Sequence, residues 1–359
     1  MTRVREILEA VKRFALIRQQ LMYLMLILPD SISSQPRRLL SQMEDISDKL
    51  YNEESLHPLD ALGEVLANEL FLLKHIILAS VAIQDHVFQD AVVNAYVGQE
   101  YFSRWRSAMR NTMKNGRAPK SGTLMHTFQA LFRWLSLKIG LYFYNVIHPR
   151  QIANVLANGR RVHFPDDVEP EYLLPILEYH KLAHPMNVSL IYVVPNNLAF
   201  SDGYAFHSSA ADAKPPSGVR RFPAILSYPE DPPLDHWPNI ISILQSHNRF
   251  FKQRVRNAAE TPRQSAMFLS FLSSIWSSAT GAGRRSSLSD AAPRQDDEFL
   301  GGGHSITFHD AKLNVTYFLC RLDTQVFLSV IHQGEGSGWT DMTVLLADRL
   351  MGVVQPTFE

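Results

Sequence analysis

The hydrophobic period changes once along this chain, near Pro149, and that change dictates an α+β protein in two parts. Ahead of it, apolar residues recur at helical intervals. Val4, Leu8, Val11, Phe14, Leu21, Met25 and Leu28 predict a first helix that Pro29 ends. Pro36 opens a second, along Leu39, Met43, Ile46 and Leu50. A third is predicted from Pro58 to Asp85, a fourth from Phe88 to Lys114 and a fifth from Gly122 to Ile147. Long amphipathic helices with short connections pack antiparallel, so residues 1–149 read as a helical bundle.

Behind Pro149 the pattern becomes short and β-rich. A helix start at Asp166-Asp167 and Pro170 leads into Leu173, Leu174, Leu177 and Leu182. Strands are predicted at Val188–Val194, Phe222–Tyr228, Ile240–Leu244, Val315–Leu322 and Val326–His332, with a closing helix at Trp339–Met351. Hairpin spacing between Arg321 and Val326 indicates antiparallel pairing. Residues 150–359 therefore read as an α/β domain, interrupted by loop insertions near 196–221 and 260–303.

With 359 residues the chain exceeds the usual size of a single core, which agrees with two domains. Thirty-five basic residues balance thirty-five acidic ones, so no global field attracts nucleic acid or an anionic membrane. The single cysteine, Cys320, excludes an internal disulfide and a thiolate-rich zinc site, and fits a reducing compartment. The apolar runs Leu21–Leu28 and Leu70–Ile83 are broken by Pro29 and Lys74-His75. Both read as buried helix, since a membrane span needs about 20 apolar residues.

Catalytic signatures are missing: there is no zinc-protease helix, phosphate loop, dinucleotide fingerprint or nucleophile elbow. Glu69 has Leu72 three residues on where a di-metal bundle would place a histidine. His75 and His86 accordingly read as ordinary helix residues, and no metal or cofactor is expected. Gly334-Glu335-Gly336-Ser337-Gly338 reads as a strand-to-helix turn, because Glu335 would repel a phosphate. Arg104, Arg106, Arg110, Lys114, Arg117 and Lys120 read as a solvated helix face rather than a nucleic-acid patch.

Asp235-His236-Trp237 carries proton-transfer side chains, but no nucleophile or second carboxylate accompanies it. Its reading is structural: Pro238 fixes the chain before a strand opened by Ile240-Ile241, and Trp237 buries apolar surface. The uncharged stretch Gln264–Gly283 places Phe268, Phe271, Leu272, Ile275 and Trp276 at helical spacing opposite serines. That pattern suits a docking helix, with a lipid-packing sensor as the second reading. Arg284-Arg285-Ser286-Ser287 matches a basophilic kinase site at Ser287, a short pattern that chance also produces.

A set of short stretches, in order, resembles the KICSTOR complex subunit 2 family. They are Asn187-Val188-Ser189-Leu190-Ile191, Gly203-Tyr204, Pro216-Ser217-Gly218-Val219, Phe222-Pro223-Ala224 and His236-Trp237-Pro238-Asn239-Ile240. Phe308-His309-Asp310-Ala311-Lys312 and Thr316-Tyr317-Phe318-Leu319 continue the series, and Leu135, Lys138 and Tyr142-Phe143 fit one helix of the family. Family members extend further at the N-terminus, so the resemblance implies opening helices beyond this chain. The serine-rich insert has no counterpart.

The resemblance implies a helical bundle followed by a roadblock-like α/β domain. It also implies a non-enzymatic scaffold subunit that holds GATOR1 at the lysosomal surface and restrains TORC1 signalling when amino acids are scarce. The implied partners are a large SZT2-like scaffold subunit and two propeller-type subunits. The implied location is the cytoplasm, with membrane association through partners. A roadblock-type platform that binds a small GTPase directly is the alternative. The family carries no catalytic residue onto this chain. Asn187, Ser189, Gly203, Tyr204, Gly218, Pro223, His236, Trp237, Pro238, Asn239, Tyr317 and Phe318 are its structural or interface positions here.

Overall fold

In a computed structural model, the described residues are 2–51, 59–112, 122–147, 171–195, 198–201, 203–206, 216–247, 305–335 and 338–355. Five long helices come first: α1 (Thr2–Ser31), α2 (Pro36–Tyr51), α3 (Ala61–Gln84), α4 (Phe88–Thr112) and α5 (Gly122–Tyr142). Pro29 does not end α1 as predicted. It lies inside the last turn, where it removes only its own donor, and Ile32 N still donates to Leu28 O at 2.8 Å.

The bundle is built around α3. Leu66, Leu70, Leu73, Ile76, Ile77 and Ile83 are all buried, because α1, α2, α4 and α5 each contact this helix. Such all-round apolarity marks a core helix. Among the described residues α3 is the one helix long and apolar enough to cross a membrane, and most of that stretch is buried within the bundle. Its buried Glu69 forms an ion pair with Arg18 of α1, and desolvation raises the carboxyl's pKa against the pull of that arginine. The fifth predicted helix breaks at Phe143, leaving α6 (Tyr144–Ile147) as a separate turn.

The second part follows the order α7 (Leu174–Ala183), β1 (Asn187–Tyr192), β2 (Ala199–Ser201), β3 (Tyr204–Phe206), β4 (Ala224–Tyr228) and α8 (Trp237–Ser246). It ends with β5 (Ser305–Asp310), β6 (Val315–Arg321), β7 (Val326–Gln333) and α9 (Thr340–Val354). Three expectations are corrected. Residues 240–244 are helical, since Trp237, Ile240, Ile241 and Leu244 recur at helical intervals and Pro238 suits a first turn; three isoleucines had suggested a strand. The insertion at 196–221 holds the β2–β3 hairpin and a 3-10 turn, Gly218–Arg221. Finally β5 is present although its mixed sequence, Ser-Ile-Thr-Phe-His-Asp, gave no strand signal.

Five strands form one antiparallel sheet in the order β4-β1-β7-β6-β5, and β2–β3 stand apart as a two-stranded ribbon. Alternation splits the sheet into two faces. Val188, Leu190, Tyr192, Phe318, Cys320, Leu328 and Val330 point into a core shared with the bundle, α7 and α9. Ile191, Tyr317, Leu319, Phe327 and Ile331 point the other way, into a smaller core closed by α8. The chain is thus mostly helical around a five-stranded antiparallel sheet.

The predicted division at 149/150 falls within residues 148–170, outside the described residues. One hydrophobic cluster runs across it, from α1 and α3 through α5 to the sheet. Gly140 shows how close the approach is: a Cβ there would run into the ring of Tyr172, which precedes α7. Gly140→Ala is therefore expected to cost about 1–3 kcal/mol by overpacking, read as a lowered urea midpoint at unchanged slope.

Candidate functional site

The sequence motif around Trp237 is assembled from three elements. A 3-10 turn opened by Gly218, at φ 61°, positions Phe222, whose carbonyl accepts the indole N–H of Trp237 at 3.0 Å. A second 3-10 turn, Leu234–His236, sets the imidazole beside β6. His236 Nδ1 lies 2.8 Å from the Tyr317 hydroxyl, and Asn239 Nδ2 donates to the same oxygen at 3.1 Å. Asn239 also reaches Asp310 Oδ2 at 3.4 Å, while Asp310 Oδ1 accepts the backbone N–H of Lys312 at 2.9 Å. Burial pushes the Tyr317 hydroxyl's pKa up, and the bond donated by Asn239 pulls it back.

The chemistry of this corner is that of a clamp. Tyr317 is buried on the sheet and receives the α8 corner through two side chains, which fixes α8 against the β5–β6 hairpin. Asp235 is exposed, and among the described residues it makes no hydrogen bond with His236, so the pair does not form a proton relay. Tyr317→Phe is expected to cost about 0.5–1.5 kcal/mol, because it removes the hydroxyl that the half-buried His236 and Asn239 share. Thermal denaturation of the variant measures it.

The other motif positions lie elsewhere. Asn187 Nδ2 donates to Ser227 Oγ at 2.9 Å, and Ser189 Oγ donates to Asn187 Oδ1, which ties β1 to β4. Pro223 supplies the carbonyl that accepts Tyr192 N at 2.9 Å. Phe318 faces opposite to its neighbour Tyr317, into the core shared with the bundle. Pro238 occupies the first turn of α8. Gly203 (φ 86°) and Tyr204 belong to the β2–β3 ribbon, away from Trp237. Phe268, Phe271, Leu272, Ile275, Trp276 and Ser287 lie outside the described residues.

The ribbon leads to a residue that sequence reasoning placed wrongly. His86 is not a helix residue; it forms the α3–α4 corner, at φ 59°. Its Nε2–H donates to Gly203 O at 3.1 Å, and its own carbonyl accepts Ala205 N at 2.9 Å. The ring stacks on Tyr192 with centroids 4.3 Å apart and meets Phe143 at 4.6 Å. Complete burial lowers its pKa to about 3, so the imidazole is neutral; among the described residues Nδ1 has no hydrogen-bond partner. His75 is an ordinary helix residue, stacked on Tyr101.

A second buried constellation joins the two parts of the chain. Lys138 of α5 is 1% exposed. Its ammonium lies 2.9 Å from Asp323 Oδ2 in the β6–β7 turn and donates to Ser33 Oγ at 2.9 Å. The Tyr142 hydroxyl donates to the same Asp323 oxygen at 2.9 Å, and the rings of Trp134 and Tyr142 each sit 5.3 Å from the ammonium. Ser33 Oγ and Trp134 Nε1 both donate to Val354 O, at the end of α9. One lysine therefore holds together the α1–α2 connection, α5, the sheet and the last helix. In the sequence Lys138 is marked only as a residue fitting one helix of the resembled family; the signal for its role is a charge set between Leu135, Ile139 and Leu141.

These geometries define a class: an α+β protein whose buried polar groups fasten a helical bundle to an antiparallel sheet. The chain belongs to the KICSTOR complex C12orf66-like family, whose model matches residues 6–274. It is similar to KICSTOR subunit 2 of Xenopus laevis, 27% identical over 206 residues, covering 55% of this chain and 45% of that protein. It is also similar to KICSTOR subunit 2 of Danio rerio, 23% identical over 221 residues, covering 58% and 48% respectively. The chain spans about half the length of these curated relatives. Strands β5, β6 and β7 lie beyond residue 274, so Tyr317 and Asp323 come from outside the matched region.

Proposed function

We propose that this chain is a non-enzymatic scaffold subunit of a KICSTOR-like complex that recruits GATOR1 to the lysosomal surface and negatively regulates TORC1 in response to amino acids. The observation that carries the reading is family membership over residues 6–274. The polar groups at the element junctions support it: Lys138, Asp323, His236, Tyr317 and His86 each join elements. In this reading the chain is cytoplasmic and reaches the membrane through a large SZT2-like subunit and propeller-type subunits. The docking segment at Phe268, Phe271, Leu272, Ile275 and Trp276, and phosphorylation at Ser287, belong to the same proposal on sequence alone. Co-purification from native cells is expected to recover a large scaffold together with GATOR1-like proteins. Recovery only as a free monomer overturns it.

The division into a bundle at 1–149 and a roadblock-like domain at 150–359 is part of this proposal. The second part runs helix, two strands, helix, three strands, helix, apart from the β2–β3 ribbon. Its sheet has strands in the order second, first, fifth, fourth, third, with α8 on one face and α7 and α9 on the other. That arrangement supports the roadblock-like assignment and favours a second reading, a platform that contacts a small GTPase directly. Purified GTPases in both nucleotide states test it, and equal or absent binding removes it.

A further inference from the structure

Helix α1 carries two apolar stripes, and the bundle uses one. The buried stripe runs through Ile17, Leu21, Leu24 and Leu28. The other follows Val4, Leu8, Val11, Ala15 and Met22, at heptad positions; Arg18, which falls between the last two, pairs with Glu69 of the bundle. Those intervals make a heptad seam, in which side chains line up toward a facing helix. Val4 is 63% exposed, Leu8 65%, Val11 47% and Met22 41%. At 1.5 Å per residue the seam extends for roughly 27 Å along one helix, well beyond a scatter of single apolar residues.

The flanks of the seam differ. One side, at Phe14 and Leu21, turns into the bundle core. The other carries Arg5 and Lys12, both exposed. Pairs at such flanking positions decide which helix a seam accepts. A second copy packed antiparallel would set Arg5 and Lys12 against their own counterparts. Packed parallel, it would need the flank that the bundle already occupies. A partner helix with carboxylates on its edge meets neither obstacle.

We propose that the Val4–Met22 seam docks an amphipathic helix of a partner protein whose flanking positions are acidic, as a two-stranded coiled coil. The surface is independent of which complex the chain joins. The probes are two designed heptad peptides with leucine and isoleucine at the seam, one flanked by glutamate and the other by lysine. Fluorescence anisotropy against the full chain should show the glutamate peptide binding at least ten-fold more tightly. Leu8→Glu with Val11→Glu should abolish binding while leaving the circular-dichroism melt unchanged, because both side chains face solvent. Arg5→Glu with Lys12→Glu should reverse the preference. Equal binding of both peptides, or binding of neither, overturns the proposal. So does a dimer in sedimentation that Leu8→Glu dissociates, or seam-dependent binding to vesicles of anionic phospholipid without peptide binding.

Discussion

Replacing Lys138 with alanine is expected to destabilise the protein by about 3–5 kcal/mol, measured as ΔG of unfolding in guanidinium. The ammonium lies 2.9 Å from Asp323 Oδ2, and both groups are nearly shut off from water, at 2% and 9% side-chain exposure. Taking away the lysine leaves a nearly buried carboxylate held by the Tyr142 hydroxyl and the Thr324 N–H, with its direct ion-pair partner gone. Ser33 loses the ammonium as well, and with it the α1–α2 connection loses a link to α5. Total stabilities of domains lie at about 5–15 kcal/mol, so the loss is a large fraction of the whole. The double variant Lys138→Met with Asp323→Leu should recover much of the loss, because two apolar side chains leave no charge stranded. A change below about 1 kcal/mol in the single variant would mean that water reaches Asp323.

Mild acid is expected to have an effect of similar size. His86 has its pKa lowered to about 3 and His332 to about 4, in both cases by burial. His332 sits at the end of β7, sharing the Tyr179 hydroxyl at 2.7 Å and stacked on Trp339 with centroids 4.1 Å apart. In the unfolded chain both histidines take up a proton near pH 6.5. The folded state therefore binds fewer protons below that pH, and stability falls as pH falls. Above pH 6.5 their contribution is fully present; between about 6.5 and 4 each histidine removes about 1.4 kcal/mol per pH unit. Glu69, whose pKa burial raises, opposes this at the acidic end, because the folded protein gains a proton there more readily than the unfolded chain. Urea unfolding at intervals from pH 8 to 5 should show a slope of about 3 kcal/mol per unit in the lower half. His332→Gln should halve it. A flat profile would show that both rings reach solvent in the native state.

Much of the architecture is readable from side-chain spacing. The five long helices lie where apolar residues recur at helical intervals, β4 and β6 fall inside the predicted runs, and β1 and β7 overlap theirs to within two residues at each end. The misreadings share a cause. Ile240, Ile241 and Ile243 have high strand propensity, but the facing sheet needs Trp237, Ile240, Ile241 and Leu244 on one side, which only a helix provides. Strand β5 sits at the edge of the sheet with Ser305, Thr307 and Phe308 exposed, so it lacks the apolar alternation of a covered strand.

Site residues divide in the same way. His236, Trp237, Asn239 and Tyr317 come together, although they stand in two separate stretches of the sequence. Sequence position could not show that Tyr317 is their meeting point, because it lies some 80 residues later. Lys138 and Asp323 are 185 residues apart by number, and each looks unremarkable in its own segment. Long-range pairing of single charges leaves no periodic trace.

The strand order also sets a schedule for the growing chain. Two neighbouring interior strands of the sheet, β1 and β7, lie far apart in sequence, at 187–192 and 326–333. During synthesis β1 has only β4 beside it until β7 emerges. At ribosomal rates of about 5–20 residues per second, the wait is on the order of 10 s. Throughout it Val188, Leu190 and Tyr192 lack the covering residues of β6, β7 and α9, and the inner edge of β1 offers unpaired backbone groups to any passing strand. The bundle, complete by then, is the surface against which that strand can shelter. A nascent chain stalled before residue 326 should consequently engage chaperones more strongly than one released at full length.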